Sequence, residues 1–272
     1  MSEESSLSKE ELSRYSRHIL LPEIRRAGQE KIRAASVFVV GAGGLGGPVL
    51  YYLAAAGVGR ITFIDDDTVD LSNLQRQILY DSEDLDAPKA YAAARRLRLL
   101  NPGTDIQALR ERLDADNALE LLAQADLVIE TSDSLSVKFM VNDACVLLGK
   151  PVLIGGILRF EGQLMGVAPG KSSCYRCLFQ EVPPAHAVPS CSEAGVLGAL
   201  AGLVGSLQAL EALKILTGAG EPLFGRLVKI NGLTTEQRTL RLPRNPDCPV
   251  CGSAPRITAI DAENYPDIAV CR

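Results

Sequence analysis

The amino-acid sequence predicts an α/β fold built on a doubly wound mixed sheet, mostly parallel, with antiparallel strands at one edge. Three observations lead there. Short apolar runs at Ser36–Val40, Ile61–Asp65, Ile106–Leu109, Leu127–Ile129 and Val152–Ile154 alternate with helical patterns, as a parallel sheet with crossover helices requires. A glycine-rich turn, GAGGLG from Gly41 to Gly46, joins the first run to its helix. Beyond Arg159 the alternation stops, and Gly162–Val167, Leu227–Ile230 and Thr234–Leu242 follow as strand patterns suited to antiparallel addition.

Taken in order, Ser8-Lys9-Glu10-Glu11 fits a capping box, with the serine hydroxyl accepting from a first-turn amide and Glu11 reaching back. The short helix it opens carries Arg14, Arg17 and His18. The helix after GAGGLG runs to about Ala56. Pro88 starts an Ala/Leu/Arg-rich helix that Asn101-Pro102-Gly103 stops. Gly195, Gly198, Gly202 and Gly205 predict one bare stripe along a later helix. Residues 1–30 read as a helical arm and 31–272 as a single domain, since no linker composition, repeat or low-complexity tract divides the rest.

A chain of 272 residues holds one large α/β domain, and 47% hydrophobic with 22% charged residues excludes a disordered or fibrous chain. A net charge of −5 argues against a nucleic-acid or anionic-membrane surface, both of which favour a basic excess. The uncharged stretch Ala194–Leu210 is 17 residues, short of the roughly 20 a membrane span needs. The first residues, MSEESSLSKEEL, lack the apolar run of a secretory signal. Seven sparse cysteines, an odd number, do not form a disulfide framework, so a reducing cytoplasm is expected.

Gly41, Gly43 and Gly46 satisfy G-x-G-x-x-G between a strand and a helix, with Gly44 in the same turn. Glycines there let backbone amides approach a phosphate at the positive end of the helix. Asp65, ending the next strand, is placed to accept from ribose hydroxyls in a Rossmann-like βαβ unit. The motif alone does not separate NAD from ATP. The stretch Asp65–Gln77 tilts the balance, because its acids, Asn73 and Arg76 are followed by Lys89 at a helix start. A nicotinamide ring wants an apolar slot, whereas a polyphosphate wants fixed cations and a metal. Arg76 and Lys89 supply the cations, and Asp133 past a central strand is placed to hold magnesium.

Cys174-Tyr-Arg-Cys177 and Cys248-Pro-Val-Cys251 are two C-x-x-C pairs, which together point to a closed, structural zinc site rather than a redox dithiol. Of the remaining cysteines, Cys145 sits in an apolar run, Cys271 is one residue from the end, and Cys191 follows a proline-rich segment as a candidate nucleophile.

Arg14-Tyr15-x-Arg17, GAGGLG, Asp65–Gln77, Lys89, Thr131-Ser132-Asp133, both C-x-x-C pairs and Cys191-x-x-Ala194-Gly195-Val196 together resemble the MoeB/ThiF/HesA adenylyltransferase family over about residues 8–252. The resemblance implies that ATP and Mg2+ are used to adenylate the C-terminal glycine of a ubiquitin-like sulfur carrier ending in Gly-Gly, for molybdopterin, thiamine or related sulfur transfer. By position it implies that the glycine loop, Asp65 and Asp67 hold the nucleotide. Asn73, Arg76 and Lys89 would contact its phosphates, and Asp133 would bind Mg2+. Arg17 would reach into a partner subunit's site, which makes a homodimer. Cys191 matches the family's thiol position. Ala199 departs from the proline common after the helix glycine. The short tail after Cys251 leaves no room for the sulfurtransferase domain of longer relatives, so a separate sulfur donor is expected. Competing readings are an NAD-dependent oxidoreductase and a non-catalytic, zinc-stabilised scaffold.

Overall fold

The chain opens on three short helices, α1 (Lys9–Arg14), α2 (Ser16–Ile19) and α3 (Arg25–Ala34). The computed structural model describes residues 7–183 and 195–266. The capping box is present: the Glu11 amide donates to Ser8 Oγ at 3.2 Å and the Ser8 amide to Glu11 Oε2 at 2.7 Å. The helix expected to carry all three basic residues breaks at Tyr15, leaving Arg14 on α1 and Arg17 and His18 on α2. Tyr15 is the cause, since its ring is buried and its hydroxyl accepts from Asn101 Nδ2 at 2.8 Å. A boundary at residue 30 falls inside α3, which is anchored to the main body through Gln29 Nε2 donating to the Ala56 carbonyl.

The sheet strands are β1 (Ser36–Val40), β2 (Arg60–Ile64), β3 (Asp105–Leu109), β4 (Leu127–Glu130), β5 (Val152–Leu158), β6 (Glu161–Val167), β7 (Arg226–Asn231) and β8 (Glu236–Arg241). They lie in the order β3-β2-β1-β4-β5-β6-β7-β8. The first five pair in parallel and the last three are added antiparallel, as the patterning predicts. The helices between them are α4 (Gly46–Ala56), α5 (Lys89–Leu100), α6 (Ala118–Ala123), α7 (Leu135–Leu148), α8 (Tyr175–Leu178) and α9 (Gly198–Thr217).

Both faces of the parallel half are covered, so its strands alternate between two apolar layers rather than between core and water. Val37 and Val39 join Ile61, Phe63, Leu127 and Ile129 against α4, α5 and α9. Phe38 and Val40 join Ile64 and Val128 against α6 and α7. By length and composition α9 is apolar enough to cross a membrane; here it packs on α4, β5 and β6 as a core helix. The glycine stripe is split. Gly195 precedes α9, and Gly202 meets open space. At Gly198 and Gly205 an added Cβ would come within 2.3 Å of the Gln75 carbonyl and 2.6 Å of the Leu45 carbonyl, so α9 rests directly on two loops of the site.

Candidate active site

Above the carboxyl ends of β1, β2 and β4, where open α/β sheets bind ligands, lies a cavity of about 910 Å3. Gly41, Gly43, Gly44, Asp65, Asp67, Asn73, Arg76, Lys89 and Asp133 all line it. The strand-to-helix turn explains part of this convergence. Gly41 has φ of +90°, and a Cβ on Gly46 would sit 2.2 Å from the Gly41 carbonyl oxygen. Gly46 therefore permits the turn and does not itself face the cavity. Tyr80 Oη donates to the Ala42 carbonyl at 2.9 Å, and Thr131 Oγ1 to the Val40 carbonyl at 2.7 Å, fixing the loop from two sides.

Asp65 Oδ2 accepts from the Ala42 amide at 2.8 Å and Oδ1 from the Asp67 amide at 3.0 Å. One carboxylate thus holds the glycine loop and the acidic loop together. Loss of water pushes its pKa up, opposed by the Lys89 charge and these amides. Lys89 is only 4% exposed, and its Nζ lies 2.9 Å from Asp67 Oδ2, whose side chain is 69% exposed. A buried ammonium paired with an exposed acid can exchange that acid for an arriving phosphate at little desolvation cost. Arg76 Nη1 donates to the Ser72 carbonyl at 3.0 Å. Gln77 Oε1, buried in the same wall, has no hydrogen-bond partner among the described residues, which leaves an acceptor for a ligand donor. Asp133 is open to the cavity, and the protein around it displaces enough water to push its carboxyl up. Arg17 is exposed on α2 and does not line the cavity. Cys191 and Cys271 lie outside the described residues.

The structure adds residues that spacing did not reveal. Glu111, Arg112 and Leu113 follow β3 along the cavity, and Gln163 and Lys229 reach it from the antiparallel strands. They belong to no motif, and only the sheet order brings them in. Lys138 and Glu130, under the Asp133 loop, were also missed. Their signal was available as a lone lysine in the apolar pattern of α7.

Cys174, Cys177, Cys248 and Cys251 converge, each sulfur within 4.8 Å of the others. Neighbouring sulfurs lie 3.4 to 3.9 Å apart, against about 3.8 Å for the edge of a tetrahedron with zinc–sulfur bonds of about 2.3 Å. The sulfur contact with Cys248 pushes the Cys174 thiol up while Cys248 itself is held down, and a bound cation would be needed to hold all four as thiolates. The cluster is tied to α7 by Arg176 Nε on Asp143 Oδ2 at 2.7 Å and by the Tyr175 amide on Asn142 Oδ1 at 2.7 Å. Cys145 is buried in the apolar layer beneath α7, as expected, and burial pushes its thiol up.

A glycine turn at the first β–α junction, a buried lysine under it and a carboxylate across the switch point define a doubly wound nucleotide-binding protein with a four-cysteine cluster. The chain belongs to the ThiF family, whose pattern matches residues 15–250. It is 51% identical to the sulfur carrier protein adenylyltransferase of Thermus thermophilus, over 91% of this chain and 93% of that protein. It is 44% identical to the SAMP-activating enzyme E1 of Haloferax volcanii, over 91% of each. It also matches the adenylyltransferase and sulfurtransferase MOCS3 of Bos taurus at 45% identity, over 96% of this chain and 57% of that protein. Among solved structures, E. coli MccB with ATP superposes with a TM-score of 0.76 at 24% identity, over 88% of this chain and 73% of that one, which shows a shared fold.

Proposed function

We infer that this chain uses ATP to adenylate the C-terminal glycine of a ubiquitin-like sulfur carrier ending in Gly-Gly, releasing pyrophosphate. The observation that carries the reading is the buried Lys89 ammonium beneath an open cavity, paired with a solvent-exposed acid. The names of the relatives from Thermus thermophilus and Haloferax volcanii support it. Neither the oxidoreductase nor the scaffold reading gains support from the relatives.

In the reaction a carboxylate oxygen attacks the α-phosphorus, forming the acyl–phosphate bond as the α–β bridge breaks and pyrophosphate leaves. Two anions are brought together, so catalysis is positioning and charge stabilisation. The attacking carboxylate is already ionised at neutral pH, and no general base is needed. Lys89 exchanges Asp67 for phosphate oxygens, Asn73 and Arg76 hold the polyphosphate from the facing wall, and the amides of Gly43 and Gly44 meet it at the helix start. Asp65 accepts from the ribose. Arg17 completes the site from the partner subunit of a homodimer.

Asp133, a hard oxygen donor on the cavity wall, fits Mg2+ and would hold it; the ion would neutralise charge on the phosphates. The four cysteines fit Zn2+ with no open position, a structural role. A thiol at Cys191, with a separate sulfur donor, would serve conversion of the adenylate to a thiocarboxylate in the reducing cytoplasm. The test is exchange of labelled pyrophosphate into ATP in the presence of Gly-Gly carriers. We expect carrier-dependent exchange that Asp133→Ala abolishes. No exchange with any such carrier overturns the reading, with ATP binding alone favouring the scaffold and NADH binding without ATP favouring the oxidoreductase.

A further inference from the structure

Beneath the loop that carries Asp133 lies a charged pair that the reaction as written does not use. Glu130, at the end of β4, is fully buried, and Lys138, one turn into α7, is 5% exposed. Lys138 Nζ donates to Glu130 Oε2, to the Ser132 carbonyl at 2.6 Å and to the Gly155 carbonyl at 2.8 Å. The other carboxylate oxygen of Glu130 accepts from the Ser132 amide at 2.8 Å and from the Ser132 hydroxyl. On the opposite side of the strand end, Gln208 Nε2 from α9 donates to the Glu130 carbonyl at 3.0 Å. Every polar group of Ser132 thus ends on this pair. A buried ion pair is seldom retained for stability alone, since an apolar pair of similar volume serves as well or better.

We propose that Glu130 and Lys138 form an internal brace that sets the backbone of Ser132 and so aims Asp133 at the metal–nucleotide. They are positioning residues, because neither is assigned a contact with substrate. Burial pushes the Glu130 carboxyl up and the Lys138 charge opposes it, in keeping with a pair that stands or falls together. The inference rests on the adenylation reading and deepens it.

The experiment compares the wild-type dimer, Asp133→Ala, the charge-free double variant Glu130→Gln/Lys138→Met, and Lys138→Arg. The double variant leaves no unpaired buried charge, so it retains the fold where a single neutralisation can fail. For each protein three quantities are read: amide hydrogen exchange across Ser132–Leu135, Mn2+ binding to the enzyme–ATP complex by the free-ion paramagnetic signal, and pyrophosphate exchange as a function of Mg2+. We expect the double variant to exchange the Ser132 amide at least 10-fold faster, to bind Mn2+ about 10-fold more weakly, and to require correspondingly more Mg2+ at near-normal KM for ATP. Lys138→Arg, keeping the charge, should restore most of the Mn2+ affinity. Unchanged Mn2+ affinity and Mg2+ dependence in a folded double variant overturn the brace, as does Mn2+ binding lost in the double variant but intact in Asp133→Ala. Absent exchange in the wild type instead overturns the adenylation reading, and the Mn2+ and hydrogen-exchange arms then judge the brace alone.

Discussion

The cavity over the parallel strands and the cysteine cluster on the far side of α7 are both built from paired short motifs, yet they are finished in opposite ways. The cavity leaves its charges accessible: Lys89 leans on an exposed acid, and Asp133 faces open space. The cluster spends all four sulfurs on one another and is walled by Tyr175, Val250 and the Arg176–Asp143 pair. An open set of polar groups can exchange partners during a reaction, whereas a closed set holds a shape. Removing a member of the first should cost rate. Removing a member of the second should cost stability.

The sharpest test of that division is Lys89→Ala. Its partner Asp67 is solvated, so folding should survive while carrier-dependent exchange falls about 10^2 to 10^3-fold, or roughly 3 to 4 kcal/mol of transition-state stabilisation. A variant that loses its cooperative melt along with its activity would place Lys89 in the framework and break the contrast. Next in size is Cys177→Ser, or metal removal with a chelator. Loss of a bound zinc should cost on the order of 3 kcal/mol or more, lowering the Tm by about 6 to 12 °C, while the KM for ATP at low temperature stays within about threefold. Metal analysis showing one zinc lost, with the KM strongly raised, would mean the two regions are not separable.

The smallest effect concerns pH. The carboxyl of Asp65 is pushed up by burial, so between the ordinary aspartate value near 3.9 and its folded value the folded chain binds more protons than the unfolded one. Stability from this group therefore rises as pH falls through that window. Acids held down by local hydrogen bonds, such as Asp70 and Asp81, lose their contribution only below it. On acidification from neutrality the melting point of the nucleotide-free protein should hold or rise by about 1 or 2 °C. The increment added by ATP should shrink, because a protonated Asp65 is a poorer acceptor for the ribose. Calorimetric melts with and without ATP across that range decide it, and an increment that grows with acidity would contradict the assignment of Asp65.

The contrast also explains what could be read in advance. The parallel strands, the glycine turn and both C-x-x-C pairs depend on neighbours in the chain, so their spacing carries the information. The break at Tyr15 does not, since it arises from a contact with Asn101, 86 residues away. The glycine stripe misled because periodicity gives a face but not what the face meets. Gly198 and Gly205 touch loops, while Gly195 precedes the helix. Lys138 stands out as a lone lysine in the apolar pattern of α7, but its partner Glu130 is set by the β4–α7 geometry and not by spacing. Arg17 stays on the outside of its own chain, and its proposed role depends on a second copy.

The strand order gives the cavity a mechanical meaning. β1 pairs on one side with β2 and on the other with β4, strands separated by more than sixty residues of chain, and the helices that follow diverge to opposite faces. A molecule gripped by Lys89 on one flank and by the Asp133 loop on the other would act as a clasp across that seam. Filling it should slow the parting of the two halves, so a loaded chain ought to resist proteases longer than its gain in melting temperature alone would suggest.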